Sequence, residues 1–270
     1  MIINYSHHFW LQKAGNLPSA YEDDFFPYKY PFENIPQNSK YQRYTIADGA
    51  STAYLSGLWA HTLVDEFGLY ENEITDRNFL DLVRTLILDK KWNAQLENFT
   101  KTRYEEGRPL SWYDEIALQN GAASTFLEIS FSLEGNKIKE SFSALAIGDS
   151  CLFQVRNDEL VTAFPLNSSA EFDTSPSLIS SNPKQNDNLQ EKIAYLENQS
   201  VITGDRFFLI TDALASWFFQ EHEKGTKPWE IIRERAIHKS GFVDWIEEIR
   251  ENKLIRNDDV TLMILETQGD

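Results

Sequence analysis

Helices laid outside β-sheets, an α+β domain built in layers, is the fold class that this 270-residue sequence predicts. Two helical patterns come early, paired strand patterns fill the middle, and two short apolar runs late in the chain are separated by further helical patterns. Continuous apolar runs of strand length are buried on both faces, and that requires a layer on either side of the sheet.

The elements follow in order. Residues 51–67, STAYLSGLWAHTLVDEF, carry Leu55, Leu58, Trp59, Leu63 and Phe67 at near-helical spacing, with Ser51 or Thr52 as the cap. Thr75 and Asp76 open a second helix with Phe79, Leu82, Val83 and Leu86 on one face, and 114–119 form another short helical piece. TFLEISFSL, a turn at Gly135-Asn136 and SFSALAIG read as a β-hairpin; CLFQV, a turn at Asn157-Asp158 and ELVTAF read as the next strand pair. RFFLIT (206–211) and VTLMILE (260–266) are buried strands, with helices at about 213–222, 227–238 and 241–252 between them. The segment 165–200 holds Pro165, Pro176 and Pro183, six serines between 168 and 181 and few large apolar residues, so it reads as a surface flap. No repeat or low-complexity linker interrupts the chain, which makes 1–270 one domain with a flap at about 165–200.

Hydrophobic residues make up 41% and aromatic residues 13%, enough for a sizeable core and contrary to the composition of disordered chains. Lys plus Arg number 25 against 42 Asp plus Glu, a formal net charge of −17. A surface that acidic argues against nucleic acid, whose binding needs cations facing phosphates, and against anionic membranes. It suits a protein that handles cations or basic protein segments. The single cysteine, Cys151, excludes an internal disulfide and a Cys-rich zinc site. The start MIINYSHHFWLQK does not read as a signal peptide, and no run approaches the ~18 apolar residues of a membrane span. The expectation is a soluble, cytoplasmic monomer.

Four acidic clusters each adjoin an apolar run: Glu22-Asp23-Asp24 before Phe25-Phe26, Asp48-Gly49 after YTIA, Asp212 after FFLIT, and Asp258-Asp259 before VTLMIL. Taken singly, each Asp is ordinarily a turn former or helix cap. Together, carboxylates at several strand ends repel one another unless a cation compensates them, and hard divalent cations take oxygen ligands.

These pieces resemble the metal-dependent serine/threonine phosphatase 2C family, in its order and over nearly the whole chain. YEDDFF at 21–26 resembles its N/Q-E-D-x-F element and IADGAS at 46–51 its F-D-G element. GAASTFLEIS resembles the Gly-Thr-Thr strand opening, and ALAIGDSCLFQV the A-N-x-G-D-S-R element. FFLITDALASWF resembles L-x-S-D-G-L-W, and NDDVTLMIL resembles D-N-x-T-V-x-V. The resemblance implies a bacterial-type single-domain member with a four-layer αββα sandwich, two central antiparallel sheets flanked by helices, and a two-metal site in the cleft between the sheets. It implies Mn²⁺ or Mg²⁺ held by Asp48 as the bridge, the Gly49 carbonyl, Asp212 and Asp258. Glu22 and Asp23 would orient metal-held waters, and Asp149 would bind a weaker third ion. The implied activity is hydrolysis of phosphoserine or phosphothreonine in proteins by a metal-activated water.

Several positions depart from the family. Where its animal members carry a phosphate-holding Arg, this chain has Pro18, and Lys13 is the cation offered instead. Ala50 replaces the His that often follows Asp-Gly there, His61 reads as a helix-surface residue, and Asp212 is followed by Ala213 instead of Gly. The missing Arg leaves a second reading: a catalytically weak or silent relative that binds phosphoproteins as a regulatory module.

Overall fold

The computed structural model describes residues 1–27, 39–88, 90–135, 137–172 and 175–269. Strands β1 (Ile2–Leu11), β2 (Asp24–Phe26) and β3 (Tyr41–Ala47) come first, then helices α1 (Ser56–Gly68), α2 (Phe79–Leu88), α3 (Lys90–Glu105) and α4 (Trp112–Asn120). Strands β4 (Ala123–Ser124), β5 (Phe126–Glu134), β6 (Lys137–Ile147), β7 (Cys151–Arg156) and β8 (Glu159–Phe164) follow. Short β9 (Ile179–Ser180), then β10 (Ala194–Ser200) and β11 (Arg206–Ile210), lead into α5 (Asp212–Glu223), α6 (Pro228–Arg235), α7 (Lys239–Glu251) and β12 (Val260–Gln268).

The strands form two five-stranded antiparallel sheets, ordered β1-β12-β11-β7-β8 and β10-β6-β5-β3-β2, with β4 and β9 as a separate pair. Alternation along the strands separates three cores. On β11, Phe207 and Leu209 point between the sheets, while Phe208 and Ile210 point to the helical layer of α5, α6 and α7. On β12, Met263 and Leu265 point inward and Leu262 and Ile264 outward. The other sheet does the same: Leu127, Ile129 and Phe131 of β5 meet the first sheet, while Phe126 packs with Trp59, Leu63 and Phe79 of α1 and α2. Both faces of each sheet are therefore covered, which is why residues 207–210 and 262–265 are apolar without interruption; on β5 the exception, Glu128, is buried in an ion pair with Arg43 (2.7 Å). The layers are helix, sheet, sheet, helix, as expected. No helix among the described residues is long and apolar enough to cross a membrane.

Three sequence expectations change. α1 begins at Ser56, with Leu55 in the left-handed region (φ 62°) ahead of it and no side-chain cap, so Ser51 and Thr52 belong to the preceding turn. Helix α3 has no counterpart in the periodicity, because Trp92 anchors it and Leu96 is only partly buried against the same core. The segment 165–200 is not a surface flap along its length. Ile179 and Leu189 are core residues, 179–180 pair with β4, and 194–200 form an edge strand on β6. Deleting it would strip that edge and open the core. The turn at Asn157-Asp158 is as expected, with both residues at positive φ (50° and 63°), the type I′ geometry that joins strands tightly. The Asn136 half of the other predicted turn lies outside the described residues.

α7 ends in a Schellman motif: Lys253 N–H donates to Arg250 O (2.9 Å) and Leu254 N–H to Ile249 O (2.8 Å). The left-handed position (φ 57°) that normally takes glycine is held by Lys253. Lys253→Gly is expected to stabilise the protein by about 1 kcal/mol, because Gly meets no steric cost at positive φ. Thermal melting should show a midpoint higher by roughly 2–4 °C.

Candidate active site

One end of the sandwich carries a cleft of about 430 Å³ whose walls include Lys13, Asp48, Gly49, Asp212, Arg256 and Asp258. The strand ends bring these together. Asp48 follows β3, Asp212 follows β11 as the first residue of α5, and Asp258 lies just before β12. Ser51 and Thr52, freed from capping, also line the cleft, and Ser175, Pro176 and Leu178 reach its wall from the 165–200 segment.

The Asp48 backbone is locked from both sides. Its N–H donates to Thr125 Oγ1 (3.0 Å), and its carbonyl accepts from Thr125 N–H and Ser124 Oγ (both 2.8 Å). Burial raises the Asp48 carboxyl well above the usual range, and the charges of Asp23, Asp212, Asp149 and Asp258 push it further. Burial likewise raises Asp23 well above its ordinary value, with Asp259 and Asp212 adding to the effect against a hydrogen bond from Thr261 Oγ1 to Asp23 Oδ2 (2.8 Å). Burial raises Asp212 as well, opposed by Arg256. Each predicted Asp ligand is thus within electrostatic reach of Asp48.

Gly49 is demanded by a close backbone approach. A Cβ there would lie 2.6 Å from the Glu22 carbonyl oxygen and 2.9 Å from the Ser56 carbonyl carbon. Glu22 is tied down rather than facing the cleft: its Oε1 accepts from Ser56 Oγ (2.6 Å) and its N–H donates to Asp259 Oδ2 (2.7 Å). Asp149 is buried in the β6–β7 turn, where Gly148 has φ 103°. Pro18 is exposed in a short 3-10 turn and does not line the cleft. His61 Nδ1 lies 2.9 Å from Asp24 Oδ2, and that hydrogen bond raises its pKa; it too stands off the cleft wall.

Sequence reasoning noted Asp259 only as part of an acidic cluster and missed Arg256 altogether. Asp259 is a clamp: Oδ1 accepts from Lys13 N–H and Oδ2 from Glu22 N–H (both 2.7 Å), holding two amino-terminal loops against β12. Arg256 Nη2 is ion-paired with Asp212 Oδ2, and Lys13 Nζ lies 3.4 Å from Asp258 Oδ1. Arg256 was detectable as a cation two residues before Asp258 in a chain so acidic.

Among the described residues, no three His, Cys, Asp or Glu side chains close on one point as a finished metal-ligand group. The donor chemistry nevertheless fits a hard divalent cation. Carboxylates of Asp48, Asp212 and Asp258 share one cleft, burial and mutual repulsion raise Asp48 and Asp212, and Asp212 Oδ1 is buried without a hydrogen-bond partner. The cations seen on two of these carboxylates are the chain's own, Arg256 and Lys13.

No family model matches the chain, and no curated protein matches it. Among solved structures it is similar to the Mycobacterium tuberculosis serine/threonine phosphatase PstP, at 12% identity and TM-score 0.56 over 100% of both chains. It is similar to the PstP catalytic domain in complex with two manganese ions (13%, TM-score 0.54, 99% of both chains). It is also similar to RsbX in complex with magnesium (15%, TM-score 0.50, 99% of this chain and 100% of that one). With the αββα layers and the sheet topology described above, these matches establish that this chain has the phosphatase 2C fold.

Proposed function

We infer that the protein is a phosphatase 2C-family enzyme that hydrolyses phosphoserine or phosphothreonine in phosphoproteins with two divalent cations, Mn²⁺ or Mg²⁺. The observation that carries this reading is the set of mutually repelling carboxylates, Asp23, Asp48, Asp149, Asp212 and Asp258, gathered at one end of that fold. Asp48, the Gly49 carbonyl, Asp212 and Asp258 would hold the two ions, with Asp149 available to a weaker third. Such ions, when bound, supply charge neutralisation at the phosphoryl group and a more acidic water.

The chain's own residues do the rest. Thr125 and Ser124 fix the Asp48 backbone, so its carboxylate keeps one position relative to α5. Asp23 acts through Thr261, linking the acidic amino-terminal segment to β12. Lys13 and Arg256 are the cations on the cleft wall placed to meet phosphate oxygens. Arg256 has the planar fork suited to two of them, and Lys13 is a point charge.

The test is hydrolysis of a small aryl phosphate with Mn²⁺ or Mg²⁺ and with chelator. Turnover only with metal is expected; full turnover in excess EDTA overturns the reading. The second reading, a silent phosphoprotein-binding module, has one observation in its favour: Arg256 and Lys13 already neutralise Asp212 and Asp258. It predicts phosphopeptide binding with no turnover in either metal.

A further inference from the structure

Arg256 belongs to two cavities. Besides the acidic cleft, it lines a neighbouring hollow of about 410 Å³ walled by Ser169 and Phe172, by Ser216 and Gln220 of α5, and by Lys253. The charge there is inverted. In a chain of net charge −17, the ionisable residues lining this hollow among the described residues are two cations, Lys253 and Arg256. Two carboxylates adjoin the hollow without lining it: Asp212 pairs with Arg256 from the cleft side, and Glu223 is occupied by the Ser169 N–H (2.7 Å) and Oγ (2.6 Å). Lys253 is exposed, and it keeps a left-handed position where the backbone favours glycine. Its ammonium is thus presented to solvent at the rim of the hollow.

We propose that this hollow is a specificity subsite for a carboxylate side chain, Asp or Glu, lying close in sequence to the phosphorylated residue of the protein substrate. The proposal rests on the phosphatase reading above, which places the phosphoryl group in the cleft. Arg256 is the shared wall, so a substrate chain leaving the cleft passes over it into the hollow. At roughly 3.3–3.6 Å per residue, one to three residues cover that step. An acidic side chain delivered there meets the Lys253 ammonium and the outer edge of the Arg256 guanidinium, while Phe172, Ser216 and Gln220 supply apolar and neutral polar contact. A basic side chain would meet like charge, and that repulsion excludes as effectively as the attraction selects.

The experiment uses the full chain with Mn²⁺ and a set of phosphoserine peptides, neutral except for a single Glu or a single Lys at each of the three positions on either side. We expect kcat/KM to rise about fivefold for Glu at one or two of these positions on one side, and to fall for Lys there. The preference should shrink in higher salt, because both cations are exposed to solvent. Lys253→Glu should reverse the preference at those positions. Lys253→Gly, which suits the backbone, should flatten it without the risk of misfolding. Equal rates on all peptides, or a Glu preference that survives Lys253→Glu, overturn the subsite while leaving the phosphatase reading intact. Failure to hydrolyse any peptide or an aryl phosphate overturns that reading, and the subsite with it.

Discussion

Asp48→Asn is expected to lower metal-dependent phosphatase activity by several orders of magnitude while making the metal-free protein more stable. Asp48 stands within electrostatic reach of Asp23, Asp212, Asp149 and Asp258. An Asn keeps the shape and one oxygen but removes the charge that would bind and bridge cations, so the loss falls on turnover. The same charge is a liability without metal. Burial and four like-charged neighbours disfavour the ionised form, and removing it relieves that repulsion.

The pH dependence of this gain has a definite sign. A carboxyl whose folded pKa is raised carries its full folding penalty above the folded pKa, and the penalty shrinks as pH falls from there and is gone below the unfolded value. Melting in chelator should therefore show the Asn variant above the wild type near neutral pH, with the two curves converging on acidification. Paired activity and melting measurements check both halves. Unchanged turnover, or a lower melting point for the metal-free variant at neutral pH, would contradict the placement of Asp48 at the centre of the cluster.

The second large effect is expected from Gly49→Ala. The added Cβ would lie 2.6 Å from the Glu22 carbonyl oxygen and 2.9 Å from the Ser56 carbonyl carbon, and both partners are backbone. Neither can rotate aside as a side chain end could. Ser56 opens α1, and the Glu22 segment is stitched to Asp259 through its N–H. Relief must come from separating the amino-terminal loop from the start of α1, at a cost of about 1–3 kcal/mol or more. Chemical denaturation should record that loss, and activity should fall further than the folded fraction because the Gly49 carbonyl moves with its residue. A variant as stable and as active as the wild type would show that the loop has slack.

Much of the architecture was legible in the chain itself. Alternation was hidden in RFFLIT and VTLMILE because residues 207–210 and 262–265 are all apolar, yet that very continuity signalled sheets covered on both sides. The edge strands were less visible. β10, AYLENQS, has no fully buried residue and is mixed in character, and β1 includes adjacent histidines, so neither carries a clean strand pattern. Helix α3 was silent for the same kind of reason, with one Trp anchoring an otherwise polar surface. The 165–200 segment misled because proline and serine dominate its composition, while two residues, Ile179 and Leu189, decide its attachment.

The sequence by itself determined the layered α+β class, the buried strands and the acidic residues at their ends, because burial period and charge are local properties of a chain. Only the tertiary structure decided which carboxylates meet across separations as long as that from Asp23 to Asp259, that Arg256 rests on Asp212, and that Asp259 serves as a clamp. It also decided why position 49 is glycine: the constraint is the Glu22 carbonyl, a neighbour that no spacing rule could supply. The physical reason is common to all of these. Coulomb and steric energies depend on distance in space, and the strand crossovers that set those distances leave no periodic mark in the residues they bring together.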